Sequence, residues 1–484
     1  MEISNHNILL AMRDALPVEP FNTGTPPAPG QMYLPTAHKK SLQLYSSLVV
    51  GARGVGKSTW TSALADDHLR QEVLGIEIPD LSLTDVFVGF SGKAEPDKYP
   101  DPTTGIIRDL LKEYAVSEFW QAIVARNLFD NTDEIPVDKW GNTVAWIRSN
   151  QEEWSKRLYE TNMRLKEKGR YKLLVFDALD RTSDDWESMD NLLRALLSLS
   201  VRLKGYSNIY TKIFLREDQF SRNITNFPDS SKLLSTQTAL EWSPQDLHGL
   251  LWQHLCNADG ENGTLFREIY REVVKESLTQ NPNNGVWMLS KEIKNDEQLQ
   301  RELFKRLAGP WMGTDPRRGV PYVWVVSHLA DGKKQTSPRS FLAAIKEAAE
   351  SSIENRNSKY PLYYGSIKTS VRRASSIRVN EIAEDYPWVG LLCNLLKDNN
   401  VPISFEEVKN IWSAKYPEGP QTIEAEFSKR ISPQTLSNGW RGIKDELARI
   451  GIFEEISDER INMPDLYRIG FGLGRKGGVK PIKK

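Results

Sequence analysis

The segment that most limits what this chain can fold into is GARGVGKST, residues 51–59, which follows directly on the apolar run SSLVVG. It satisfies G-x-x-x-x-G-K-[ST], and each fixed position has a mechanical reason. Gly51, Gly54 and Gly56 permit positive φ and close backbone approach, so that successive amides, with those of Ala52, Arg53 and Val55 among them, can form a concave nest for phosphate oxygens. Lys57 is expected to reach the β- and γ-phosphates and Ser58 to place its hydroxyl on Mg²⁺, while Thr59 completes the motif where a helix offers its positive end. The expected ligands are ATP and Mg²⁺. An accidental Gly-rich turn is the alternative, and a strand before the loop with a helix after it argues against that. No N/T-K-x-D base-reading motif of GTPases stands at a suitable place.

The surroundings fit a parallel α/β layout. TAHKKSLQL (36–44) reads as a short helix, SSLVVG as a buried strand, TWTSALADDHLRQEV as the helix after the loop, and LTDVFVGFSG as a second strand. Two further strands, YKLLVFD (171–177) and YTKIFLR (210–216), flank a helical stretch at about 184–203. Four apolar residues ending in Asp177 form a buried strand whose carboxylate should emerge at the sheet's carboxyl edge, where such sheets put their ligands. Asp177 is therefore the expected metal-ordering acid. Asp180 is the expected group for polarising the attacking water, or else a helix cap or plain loop acid. Arg216 ends its strand at the same edge, either to contact the γ-phosphate or to make a surface ion pair with Glu217 or Asp218. Arg181, Arg222 and Arg339 are possible second cations, because transition-state charge needs more than one lysine. Arg339 is the best placed of the three, at the start of the helix SPRSFLAAIKEAAES.

At 484 residues the chain exceeds what one hydrophobic core sustains. Its division is expected to be an extended N-terminal arm at 1–35, with five prolines between 17 and 30, and a P-loop core at 36–225. A helical insertion interrupts that core at about 93–170. A helical lid domain at 226–351 follows, then a Ser/Arg-rich linker at 352–380, a winged-helix-like domain at 381–470 and a basic tail at 471–484. A net charge of −1 excludes a polycation drawn as a whole to nucleic acid, so any DNA contact must be local. The C-terminal domain and the Lys/Arg-rich segment 467–484 are one such place, and Lys368, Arg372, Arg373 and Arg378 are a second; each is equally readable as a solvated tail or linker. The two cysteines, Cys256 and Cys393, form no CxxC, which argues against a disulfide framework or zinc site and fits a cytoplasmic protein. No membrane span and no secretion signal are read. The many tryptophans of the first half are expected to be packing residues, with a protein-binding face on the insertion as the sharper reading.

GARGVGKST, then LLVFDALDR, then a strand ending KIFLR, then a helical region containing SPR and a winged helix, resembles the ASCE-type P-loop ATPases of the STAND and AAA+ group over about two thirds of the chain. DALDR is similar to the D-G-L-D-E element of STAND proteins, which implies that Asp177 and Asp180 take the two acidic positions, Arg216 the strand-end sensor and Arg339 the lid arginine. The resemblance implies an Mg²⁺-dependent ATPase that forms homo-oligomers and whose winged helix binds DNA or clamps the lid. Two departures stand out. Ala178 follows Asp177 where AAA+ hydrolases place Glu, implying slow turnover, and Arg181 stands where STAND proteins have Glu, with no repeat array as sensor. A separate effector or sensor protein is then expected, as in the stand-alone ATPases of bacterial anti-phage defence systems, which the chain resembles. The alternative is a DNA-associated AAA+ initiator or remodelling ATPase using the winged helix and basic tail.

Overall fold

The computed structural model describes residues 4–17, 26–91, 102–129, 134–220, 223–355, 358–426, 432–456 and 459–475. Most of the proline-rich stretch, the entry to the insertion, Arg222 and the last nine residues of the basic tail lie outside them. The chain forms two compact units, Phe21–Pro29 with Leu34–Glu241, and Met1–Pro20 with Gly30–Tyr33 and Trp242–Lys484.

The first unit is an α/β domain on five parallel strands: β1 (Leu48–Gly51), β2 (Thr84–Phe90), β3 (Tyr171–Phe176), β4 (Ile209–Arg216) and β5 (Thr238–Ala239), in the order β2-β3-β4-β1-β5. The near-continuous apolar runs of β1 and β3 are what a sheet covered on both faces requires. β4 lies between the P-loop strand and the acid-bearing strand. The core does not end near 225 as its sequence suggested. β5 pairs with β1, and the Leu240 amide donates to Val50 O at 2.8 Å, but two residues carry too little pattern to be read as a strand.

The expected helical insertion is the β2–β3 crossover. Its helices Thr104–Leu110, Val116–Leu128, Trp140–Ser149 and Gln151–Lys168 share one core with the sheet and with the helix Trp186–Leu203. Trp120 fixes that junction: fully buried, it stands edge-on to Phe90 and Phe176, and its Nε1 donates to Leu192 O at 2.9 Å. Trp60, Trp140 and Trp154 are buried too, in packing positions. On β4 the fully buried Lys212 donates to the carbonyls of Ser41, Gln43 and Ser46 at 2.8, 3.0 and 2.8 Å, and burial lowers its ammonium to about 7.

The second unit is helical and ends in a winged-helix-like domain. Helix Pro244–Cys256 opens with a reciprocal Ser243–Asp246 capping box and Pro at its first position. The end of the chain supplies helices Pro387–Asn394, Phe405–Lys415 and Gly439–Arg449. After a short hairpin, β6 (Thr279–Gln280) with β7 (Trp287–Met288), the wing sheet is antiparallel: β8 (Ile403–Ser404), β9 (Glu454–Ile456) and β10 (Arg460–Asn462), ordered β8-β10-β9.

Two expectations fail in this unit. The N-terminus is no extended arm throughout: Asn5–Ala15 is a helix capped by Ser4, with Ile8, Leu9, Ala11 and Met12 buried, and Lys346 ties its end by donating to Arg13 O and Leu16 O at 2.9 and 2.7 Å. Nor is 352–380 chiefly a linker, because a 22-residue helix, Tyr364–Asp385, fills most of it. Serine is a weak helix former, yet here Ser370 and Ser376 bond back to Ile367 O and Arg372 O, and buried Ser375 donates to Leu466 O at 2.7 Å, so small residues permit close packing. Arg378 of this helix is braced against Glu381 and the Tyr467 hydroxyl, which takes it out of the predicted basic cluster.

Both cysteines are free and buried, and among the described residues no cluster of His, Cys, Asp and Glu could hold a metal. No helix among them is long and apolar enough to cross a membrane.

Candidate functional site

The carboxyl edge of the sheet gathers the predicted residues of the first unit. Gly51 ends β1 in register with Arg216 on β4. A side chain at Gly51 would meet Val55 Cγ2 at 2.7 Å, so only glycine allows the loop to double back on its strand. Gly54 and Gly56 stand at φ 79° and 100°, in the left-handed region that L side chains rarely adopt. Gly56 caps the helix Lys57–Ala65 without a side-chain bond, which leaves the first-turn amides directed into the loop. Ala52, Arg53, Ser58 and Thr59 are half-buried along this turn and Val55 is packed beneath it.

The Lys57 ammonium donates to Gly51 O at 2.9 Å and Ala52 O at 2.7 Å. Burial lowers it to about 8, while the charge of Asp177 works to raise it. The Asp177 backbone amide donates to Phe90 O at 2.9 Å, and its carboxylate accepts from the Ser58 hydroxyl and the Ala178 amide. Burial raises the Asp177 carboxyl above its ordinary range, against those hydrogen bonds and against Lys57. A hydroxyl beside a buried carboxylate is a hard-oxygen pair of the kind Mg²⁺ takes, so these residues fit the implied ion.

Ala178 is left-handed, at φ 52° and ψ 34°, where a residue bearing Cβ is disfavoured by roughly 1–2 kcal/mol. In the D-G-L-D-E pattern glycine holds that place without the cost. The bend carries the chain into a single 3₁₀ turn, Leu179–Arg181, so Asp180 sits beside Arg216, with Nη1 to Oδ2 3.6 Å. Of the two sequence readings of Arg216, the ion pair with Asp218 is present, mostly buried rather than on the surface. Arg216 Nε and Nη2 bind Asp218 Oδ1 and Oδ2 at 3.0 and 3.1 Å, a side-on fork, while its Nη1 end faces Asp180. Gln219 was not foreseen. It accepts from the Arg216 amide at 3.0 Å and fixes the turn that brings Asp218 back; a polar residue three positions past the strand end was the available signal.

The remaining predicted residues do not join this group of contacts. Arg339 lies in the first turn of helix Pro338–Ser352 in the second unit, its Nη1 3.3 Å from Glu381 Oε1. Arg181 is exposed in the 3₁₀ turn. His248 and His254 are buried and lowered by burial to about 3 and 4, with His248 stacked on Tyr322.

No protein-family profile matches the sequence, and no curated protein matches it. Among solved structures the chain is similar to an Aeropyrum pernix ORC1 protein in complex with DNA, at 13% identity, covering 89% of this chain and 90% of that one with a TM-score of 0.34. It is also similar to the ORC2 protein of Aeropyrum pernix in ADPNP–ADP complexes, at 12% identity, 87% and 84% coverage and a TM-score of 0.35. At such scores the likeness carries no weight, and the fold assignment rests on the strand order and the loop.

Proposed function

We propose that this chain is an Mg²⁺-dependent ATPase in which nucleotide binding works as a switch and hydrolysis resets it slowly. The observation that supports it is the meeting, at one sheet edge, of Lys57 from the loop, Ser58 with Asp177, and Asp180 with Arg216. The amides of 51–59 and Lys57 would hold the phosphates, and Ser58 with Asp177 would hold the ion. When bound, the ion neutralises charge on the β- and γ-phosphates. Asp180 orients the attacking water and Arg216 reads the γ-phosphate. The test is calorimetric titration with ATP and Mg²⁺ on wild type and Lys57→Ala. Equal affinity in the two proteins would overturn the reading.

For the output of the switch, the winged-helix-like domain favours a DNA-associated initiator or remodeller. Its salt dependence is diagnostic: DNA affinity that does not fall between 50 and 200 mM salt, roughly the range over which phosphate contacts weaken, counts against it. Assembly with itself and a partner effector, as in anti-phage defence, rests on the sequence resemblance alone. Light scattering that shows no ATP-dependent change in size counts against assembly.

A further inference from the structure

The ion pairs at the strand end divide the guanidinium of Arg216 into two faces. The side face, Nε–H and an Nη2–H, is taken by the fork to Asp218, and the end carrying Nη1 points to Asp180. The fork is built into the backbone: β4 ends at Arg216, the short helix Glu217–Phe220 begins at once, and the buried Gln219 side chain holds the Arg216 amide while its Nε2 contacts Met189 Sδ at 3.7 Å. Arg216 and Asp218 are both mostly buried, with side chains 16% and 11% exposed, whereas Asp180 is 35% exposed and its contact to Arg216 is longer than a hydrogen bond. A desolvated bidentate pair is the firmer of the two contacts, and the longer one to Asp180 is the one a competing anion displaces. The charges of Arg216, Asp218 and Asp180 all act on Lys57, so the whole set lies within electrostatic reach of the phosphate loop.

We propose that Asp218 is a positioning residue that holds Arg216 side-on, so that its Nη1 end reads the γ-phosphate of a bound triphosphate in the place where it meets Asp180. The role rests on the reading of this edge as a triphosphate site. It assigns to Asp218 the discrimination of a triphosphate from a diphosphate, not the binding of nucleotide as such.

The experiment measures ATP and ADP affinities, each with Mg²⁺, for wild type, Asp218→Ala, Asp218→Asn and Asp218→Glu, with Lys57→Ala as control. Loss of one charge-assisted fork should lower ATP affinity about tenfold in Asp218→Ala. ADP affinity should stay within about twofold, with Asp218→Asn intermediate and Asp218→Glu recovering part of the ATP preference. Equal losses of ATP and ADP affinity, or an unchanged ATP-to-ADP ratio, overturn the role. If Asp218→Ala does not fold, the isosteric Asp218→Asn is scored in the same way, and an unchanged ratio there is equally decisive. Wild-type binding that Lys57→Ala leaves intact instead sinks the triphosphate site itself, so the two failures are distinguishable.

Discussion

Arg216 and Arg339 are both arginines at the boundary of an element, both half or more buried, both paired with a carboxylate, yet they are held in different ways. Arg216 is held by Asp218, two residues further along, in a local turn that costs no other element its packing. Arg339 is held by Glu381 from another helix, and the second oxygen of Glu381 takes Arg378 at 3.1 Å, whose Nε in turn meets the Tyr467 hydroxyl at 3.3 Å. The first pairing belongs to its own strand end and orients a charge. The second is a tie between helices, and Arg339 can serve a phosphate only by giving up Glu381.

That contrast can be broken by substitution, and the largest effects are expected at the strand edge. Asp177→Asn should lower steady-state ATP hydrolysis by roughly 100-fold, the scale of removing one preorganised charge. Its thermal stability should rise at pH 7–8, because a carboxyl raised by burial makes its charged form a cost to folding above the ordinary carboxylate range, and that gain should shrink towards pH 4. A lowered melting temperature at neutral pH would show the site wrongly described. Lys57→Ala should weaken ATP binding by about 100-fold, from loss of a buried charge partner. In wild type the pH dependence has a definite sign: Lys57 is at about 8, a triphosphate raises it, and binding above pH 8 therefore takes up a proton. ATP affinity measured from pH 7 to 9.5 should be flat at first and then fall.

Arg216→Ala against Arg339→Ala tests the contrast itself. The first should lower the ATP-to-ADP affinity ratio about tenfold, and lower the melting temperature too, because it leaves the mostly buried Asp218 without its partner. The second should change the ratio less than about threefold and lower stability by up to about 1 kcal/mol, as for a partly exposed ion pair. The reverse pattern would make Arg339 the phosphate reader. The smallest effect is expected from Ala178→Gly, which removes the left-handed strain and should stabilise by about 0.5–1 kcal/mol in denaturant unfolding.

The legible parts of the sequence were those in which chemistry and position coincide. GARGVGKST and LLVFD each state a residue type and a strand in the same few letters, and the loop, Asp177 and Arg216 meet at one edge. Less legible were features decided by partners far along the chain. NILLAMRDA carries helical spacing and a Ser4 cap, but the prolines that follow dominated the reading, and its anchor, Lys346, is more than three hundred residues away. Ser375 and its neighbours read as linker because the carbonyls that receive them lie near residue 466. The left-handed bend at Ala178 was hidden because alanine does not announce positive φ as glycine does.

Lys212 gives the fold a built-in chemical reporter. Burial alone lowers its ammonium to about 7, so the shift is lost whenever the strand opens, and the exposed amine then reacts with acylating reagents as an ordinary lysine does. Within the sheet it is sealed from them. Acylation of Lys212, read by peptide mass, therefore counts how often β4 comes loose, and nucleotide that tightens this domain should slow that modification while surface lysines react unchanged.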